Sequence, residues 1–277
     1  MAADRFQAIA VATARGPVVT MQAGVELGGR YWTTTSHTAA KVGAIRRTRR
    51  AAVLSPTDDG WSLRIGRAVV LDPRHPLHGF RDPVASMWGT TALARIAAAY
   101  PQQLLGYASD GAVPAAWNVI SRVLIAVRAD RTMTWNRDGS TLHPNGSPTW
   151  TTDRQATPSV PELEGEHRRL VERRGPCWLG LVDRDVPVVV PATWSKGGTV
   201  RVHTAVLQLV GVTLPGPACV TIDDSSSPRP SEKIGVILRG TATPRTNRGG
   251  FTVLAFNAAT ATTWSGFETR TQPAAQR

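Results

Sequence analysis

Short alternating runs of apolar and polar residues, paired around turn residues, recur along this chain in an order that is repeated once. GPVVTMQAGVELGGRYWTTTS (16–36) holds two such runs around a Gly-rich turn, and AAVLSPTDDGWSLRIGRAVVLDP (51–73) holds two more around DDG. Period-two alternation bounded by Gly, Asp and Pro is the pattern of half-buried strands joined as hairpins. The same signals return in 175–204, 218–244 and 249–264. IGRAVVLDP can be laid on LRGTATP, matching Gly66 with Gly240 and Ala68 with Ala242. VLIAVRADRTMTW lies on TVLAFNAATATTW without a gap, matching Ala126 with Ala255, Ala129 with Ala258, Thr134 with Thr263 and Trp135 with Trp264. A repeat of this length predicts an internal duplication. Many short strands without βαβ alternation predict a mainly β chain of two barrel- or sandwich-like halves with a few short helices.

Helix-forming stretches punctuate this pattern. They fall at 37–50, at 83–100 with a less regular continuation to 117, and at 165–174. The stretch between Leu77 and Trp117 has no counterpart in the second half, so it reads as a helical insert. Residues 138–165 are rich in Pro, Ser, Thr, Gly and Asn and lack periodicity. The expected organisation is a first half over 1–140, a linker over 141–165 and a second half over 166–277.

No apolar run reaches the roughly 20 residues that cross a bilayer, and no basic leader precedes the first apolar segment. The expectation is a soluble cytoplasmic chain with no membrane partner. Cys177 and Cys219 sit in apolar runs and read as reduced, buried thiols. No set of His, Cys, Asp or Glu has metal-ligand spacing; the His75/His78 pair is interrupted by Pro76. No metal site is expected. The net charge of +12 favours anionic partners. Its arginines are scattered, with dense clusters only at 45–50 and 166–174, and there is no basic stripe interleaved with aromatics. Nucleic acid is therefore not the expected partner.

The densest chemistry follows the second strand run. Thr33, Thr34, Thr35, Ser36, Thr38 and Lys41 place six donor side chains within nine positions. Hydroxyls at a strand end, a lysine in the first turn of a helix and that helix's free N–H groups suit a phosphate dianion. Thr33 and Thr35 share one face of a strand and Thr34 takes the other, so all three do not meet one ligand. The residues alone leave open a solvated, Thr-rich edge strand with a surface lysine. Arg46, Arg47, Arg49 and Arg50 extend the anion site or form a solvated face. Arg64, just before Gly66, either reaches the same ligand or points to solvent. Trp32, Trp61 and Trp194 are candidates for stacking on a ring, against core packing as the ordinary role of Trp.

The run YWTTTSHTAAKVGAIRRTRRAAVL followed by DDGWSLRIGRAVVLDP resembles the FMN-binding split-barrel family, which includes pyridoxamine 5'-phosphate oxidase and flavin- or deazaflavin-dependent reductases. Thr35 and Lys41 fall on the family's Thr and Lys positions, Arg50 on the end of its Arg-rich turn and Gly66 on its closing Gly. Ala39 departs from the pattern by replacing a Ser. The resemblance implies two split β-barrels in one chain, a pseudo-dimer that leaves a further homodimer open. It implies FMN as cofactor, with deazaflavin or haem (through His37 or His203) as alternatives, and oxidoreduction of a small-molecule substrate. The cofactor-binding residues so expected are Thr33, Thr34, Thr35, Ser36, Lys41, Arg64 and Trp194. The catalytic residues stay unassigned, because a flavin carries its own chemistry. In the matching region of the second half, VRVHTAVLQLVGVTLPGPACV, Gln208 or Leu209 stands where the first half has Lys41, so one working site is expected, in the first half. A non-catalytic ligand- or haem-binding barrel is the competing reading.

Overall fold

The computed structural model describes residues 6–74, 82–114, 122–140, 150–224 and 229–274. Fourteen strands form two seven-stranded sheets. The first contains β1 (Gln7–Thr13), β2 (Gly16–Gln22), β3 (Gly24–Leu27), β4 (Arg30–Ser36), β5 (Arg50–Pro56), β6 (Gly60–Leu71) and β7 (Arg122–Asn136). The second contains β8 (Gly175–Asp183), β9 (Val186–Ser195), β10 (Thr199–His203), β11 (Gly216–Asp224), β12 (Ile234–Arg248), β13 (Phe251–Ser265) and β14 (Glu268–Pro273).

Six strands of each sheet share one order. The first runs β2-β1-β5-β6-β7-β4-β3, and the second runs β10-β9-β8-β11-β12-β13-β14 with an added β10–β13 pairing. That pairing closes β8 to β13 into a six-stranded barrel in the order β9-β8-β11-β12-β13-β10. The same order opens the first sheet as β2-β1-β5-β6-β7-β4. Its edge strands β2 and β3 are separated only by Ala23, so the first sheet curls toward a barrel without a closing ladder. The chain is thus mainly β, a closed barrel beside a curled half-barrel.

The register matches as well as the order. A β-bulge falls between Ile65 and Gly66, and Gly66 then opposes Ala129. In the second sheet a bulge falls between Arg239 and Gly240, and Gly240 opposes Ala258. These are the residues matched in sequence. Both glycines serve the same close approach: a Cβ on Gly66 would overlap the carbonyl oxygen of Arg128, and one on Gly240 that of Asn257.

The helices are α1 (Ala40–Thr48), α2 (Pro83–Ala99), α3 (Pro101–Ser109), α4 (Gly165–Glu172) and α5 (Thr204–Val210). The insert α2–α3 packs on the outer face of β4, β7 and β6. There Trp32, Ala126 and Val69, adjacent in register, meet Ala85, Ala92 and Ile96. Asp82 caps α2 by accepting from the Ala85 N–H at 2.9 Å, and it binds Arg30 through both carboxylate oxygens at 2.8 and 3.1 Å. At the other end Tyr100 donates to the Gly24 carbonyl at 3.0 Å. The run 204–210 forms a short helix directly after β10, as α1 follows β4.

The two sheets share one hydrophobic core. β1, β2 and β5 lie against β8, β9 and β11. The Thr221 hydroxyl donates to the Val19 carbonyl at 2.9 Å, and Trp61 meets Trp178 edge to face at 5.5 Å. Gly180 lies at a tight point of this contact, since a Cβ there would lie 2.5 Å from Val19 Cγ2 and 2.7 Å from Cys219 Sγ. The described part of the expected linker is not free chain. Trp150 and Leu163 are buried, and Ser159 bridges to Asn257 on β13.

Candidate functional site

β4 delivers the hydroxyls and α1 the lysine. Alternation along β4 sends Thr33 and Thr35 inward, where both are buried. Thr33 Oγ1 donates to the Ala23 carbonyl at 2.6 Å, which fixes the β2–β3 junction. Thr34 and Ser36 take the outer face. Opposite Ser36 on β7 stands Arg122. Its Nε donates to Thr34 Oγ1 at 3.0 Å and an Nη to the Thr34 carbonyl at 3.1 Å, while its guanidinium lies 5.0 Å from the Tyr107 ring centre on α3. The other guanidinium nitrogen, Nη1, is buried with no hydrogen-bond partner among the described residues. The Ser36 and Thr38 hydroxyls are 2.9 Å apart in the turn into α1.

Lys41 sits in the first turn of α1 and is buried. Its Nζ donates to Thr20 Oγ1 at 2.8 Å. Burial, and secondarily the positive Arg122, pull its pKa down to about 7. Neither cation has an ion pair among the described residues. Thr20 lies on the side of β2 opposite Val19, and Val19 is the residue that touches the second sheet. The lysine is therefore anchored on the side turned away from the second half. Two surface cavities, of about 330 and 480 Å³, include neither Lys41 nor Arg122.

Of the residues expected to bind a cofactor, Thr34 and Ser36 lie with Arg122 on the outer face, whereas the Lys41 amine, held by Thr20, is on the inner face, and only the Arg122 charge reaches it. Thr33 and Thr35 are on the inner face. Arg64 does not join them. It opposes Thr132 on β7, ten residues or ~33 Å of extended strand from Arg122, and forms an ion pair with Glu26. Trp194 does not join them either. It is fully buried in the second barrel, its Nε1 donates to the Val171 carbonyl at 2.7 Å, and Phe256 packs on it at 6.4 Å. It fills the barrel and has no ring face open to a ligand. Trp32 is likewise buried, donating to the Leu27 carbonyl at 2.9 Å.

Arg46 pairs with Asp72 at 2.9 Å, and Arg50 with Asp130 at 3.4 Å. The Arg74 and Arg46 guanidinium groups hold Asp72 down at about 2. In the second half α5 begins at Thr204, so the place of Lys41 falls near His203 to Ala205 rather than at Gln208 or Leu209. Residues 212–215 lengthen the connection after α5, so this helix starts further before β11 than α1 does before β5. His203 stacks on Phe251 at 4.1 Å and is covered by Gly139. Arg229, Glu232 and the turn at 230–232 dock on the end of α3, where Ser231 N–H donates to Asp110 at 2.9 Å. The two cysteines are buried and unbridged, and burial pushes both thiols up, Cys219 to about 12. His75 and His78 lie outside the described residues.

Arg122 was not visible as a site residue in sequence. Only the β4–β7 register sets it opposite Ser36. Each cation suits an anion, because among the described residues the buried guanidinium N–H lacks an acceptor and the buried lysine lacks a counter-charge.

No family model and no curated protein matches the chain. Solved structures do match. One is a pyridoxamine 5'-phosphate oxidase-related, FMN-binding protein from Nostoc punctiforme, at 14% identity over 51% of this chain and 78% of that one, TM-score 0.35. An F420 (deazaflavin) reductase matches at 17% identity over 47% and 89%, TM-score 0.31. The haem storage protein HutZ from Vibrio cholerae matches at 11% identity over 47% and 86%, TM-score 0.34. The chain is similar to split-barrel proteins. Each of these matches spans about half of it.

Proposed function

We propose that the first half binds a flavin, FMN or a deazaflavin, through its phosphate, and that the chain is a pyridoxamine 5'-phosphate oxidase-like oxidoreductase acting on a small molecule. The observation that carries this reading is the buried Nη1 of Arg122, which has no partner among the described residues and whose charge acts on the buried Lys41. Lys41 and Arg122 hold the phosphate charge, and the Thr34, Ser36 and Thr38 hydroxyls are its neutral partners. A bound flavin supplies the electron- or hydride-accepting chemistry. The protein's share is to neutralise the phosphate and to fix the ring. An arriving anion also restores the proton that burial makes Lys41 reluctant to hold.

The second half, with no lysine at the start of α5, serves as structural partner, giving one site per chain. A common order of six strands and matched bulges support an internal duplication with halves at 1–140 and 166–277. Two unbridged cysteines suit the reducing cytoplasm.

The test is a titration of the purified protein with FMN, followed by flavin fluorescence. One FMN per chain is expected, with Lys41→Ala and Arg122→Ala each weakening binding by on the order of 1–3 kcal/mol. Failure to bind, or affinity unchanged in both variants, removes the reading. Ala39 and the absence of Lys41 from either cavity favour a second reading, a barrel that holds a ligand or haem without turnover. Bound FMN that no nicotinamide cofactor reduces, or a Soret band on adding haem, selects it.

A further inference from the structure

Four arginines form a single transverse row across the first sheet. Arg50 on β5 opposes Arg67 on β6, Arg67 opposes Arg128 on β7, and Arg128 opposes Arg30 on β4. Residues directly opposite share a face. This row lies one step beyond Val69, Ala126 and Trp32 on the face that α2 covers, just past the helix's edge. It lines a cavity of about 480 Å³ whose floor is Ala68 and Val69, with Thr48, Arg49 and Asp82 on its walls. Arg49 takes a left-handed backbone, φ 55°, at the end of α1, and its carbonyl accepts the Ala68 N–H at 2.9 Å.

Like charges set directly opposite on a sheet destabilise it. The neutralisation is incomplete: Asp82 binds Arg30 and Asp130 binds Arg50, while Arg67 and Arg128 at the centre have no acidic partner among the described residues. The fold does not require this row. In the second sheet the same register positions are Pro217, Thr241 and Asn257, with Pro217 opposite Thr241 and Thr241 opposite Asn257. An equivalent ladder thus stands without arginine, flanked there by residue 159 of the connecting segment. The repulsion in the first sheet is an added feature, and a ligand that relieves it explains it.

We propose that this row is a second anion site that binds a chain of linked phosphates. Four strands at ~4.8 Å spacing spread the guanidinium groups over about 14 Å, longer than a single orthophosphate reaches. Arginine's planar fork pairs phosphate oxygens two at a time. The cavity has the size of a small-ligand site, well below that of a groove for duplex nucleic acid. The site is separate from Lys41 and Arg122 and does not depend on the flavin reading.

The test is calorimetric titration of the full chain with tripolyphosphate, orthophosphate, citrate and ATP. Tripolyphosphate is expected to bind at least ~10-fold tighter than orthophosphate or citrate, with strong salt dependence. Arg67→Ala/Arg128→Ala is expected to lose at least ~10-fold in that affinity. The same variant should keep or raise its melting temperature at low salt, since it removes the repulsion, so loss of binding is not loss of fold. Lys41→Ala/Arg122→Ala should bind tripolyphosphate as the wild type does, whatever it does to FMN. ATP tighter than tripolyphosphate identifies a nucleotide as the source; equal or weaker binding identifies an inorganic chain. Unchanged affinity in Arg67→Ala/Arg128→Ala, citrate binding as well as tripolyphosphate, or a short single-stranded oligonucleotide binding more tightly than either phosphate ligand would overturn the proposal.

Discussion

Replacing Lys41 by Met keeps the side chain's length and removes its amine, so it isolates the cost of burying that amine. In the fold, burial and the neighbouring Arg122 bring its pKa to about 7, against 10.5 for an ordinary lysine. Between those values the unfolded chain binds the extra proton and the fold does not. Wild-type stability therefore rises with pH across this window, by up to ~1.4 kcal/mol per pH unit. Below pH 7 the whole penalty is present, at most about 5 kcal/mol; above 10.5 it is gone. Met also gives up the 2.8 Å hydrogen bond to Thr20, which offsets the gain by about 1–2 kcal/mol. The variant should thus be more stable than wild type by about 3 kcal/mol near pH 6. The advantage should shrink steadily above pH 7 and reverse slightly once the wild-type amine is neutral in both states. Urea unfolding followed by tryptophan fluorescence, repeated from about pH 6 to about pH 9.5, reads this directly. A difference that stays constant over that range would mean the amine is charged in the folded protein, and the account of a counter-charge-starved lysine would fall with it.

Three further outcomes are expected. Gly66→Ala and Gly240→Ala should each destabilise by about 2–3 kcal/mol in chemical denaturation, because each Cβ meets a backbone oxygen across the same bulge; a neutral result at one site would break the equivalence of the two sheets. Gly180→Val should cost about 3 kcal/mol or more by forcing Val19 and Cys219 apart, seen as a lower melting temperature and loss of the Trp61–Trp178 contact in near-ultraviolet circular dichroism. A thiol reagent should leave Cys177 and Cys219 unlabelled in the native protein and label both in denaturant, since both are buried and their thiols are held protonated; native labelling would show that the shared core opens.

Much of the fold was legible because its carriers are local. The hairpins at 51–73, 175–204 and 218–244 announce themselves by alternation and turn residues, and they became β5–β6, β8–β9 and β11–β12. The match of 66 with 240 and of 129 with 258 held down to the bulge, because a bulge needs a residue without a side chain at one fixed place. The run 16–36 was only half legible. β3 and β4 pair across the Gly28–Gly29 turn, but β2 turns away to join β1, a choice set by tertiary pairing. The candidate donors Thr34, Ser36 and Lys41 could be named from local sequence, whereas their placement, set by register, could not. Arg64 and Arg122 look alike in sequence, as single arginines in apolar strands. Which one meets Ser36 depends on partners more than 80 residues away in the chain. Trp194 looked like a stacking residue because sequence does not distinguish a barrel's mouth from its interior.

Two sheets of one design within a single polypeptide escape a rule that binds identical subunits. In a symmetric dimer every substitution is made twice, and a costly charge must be tolerated on both sides of the axis. Here Arg50, Arg67 and Arg128 stand in one ladder while Pro217, Thr241 and Asn257 stand in the other. A charged ladder in one sheet therefore does not oblige the other sheet, packed through the same core, to carry its counterpart.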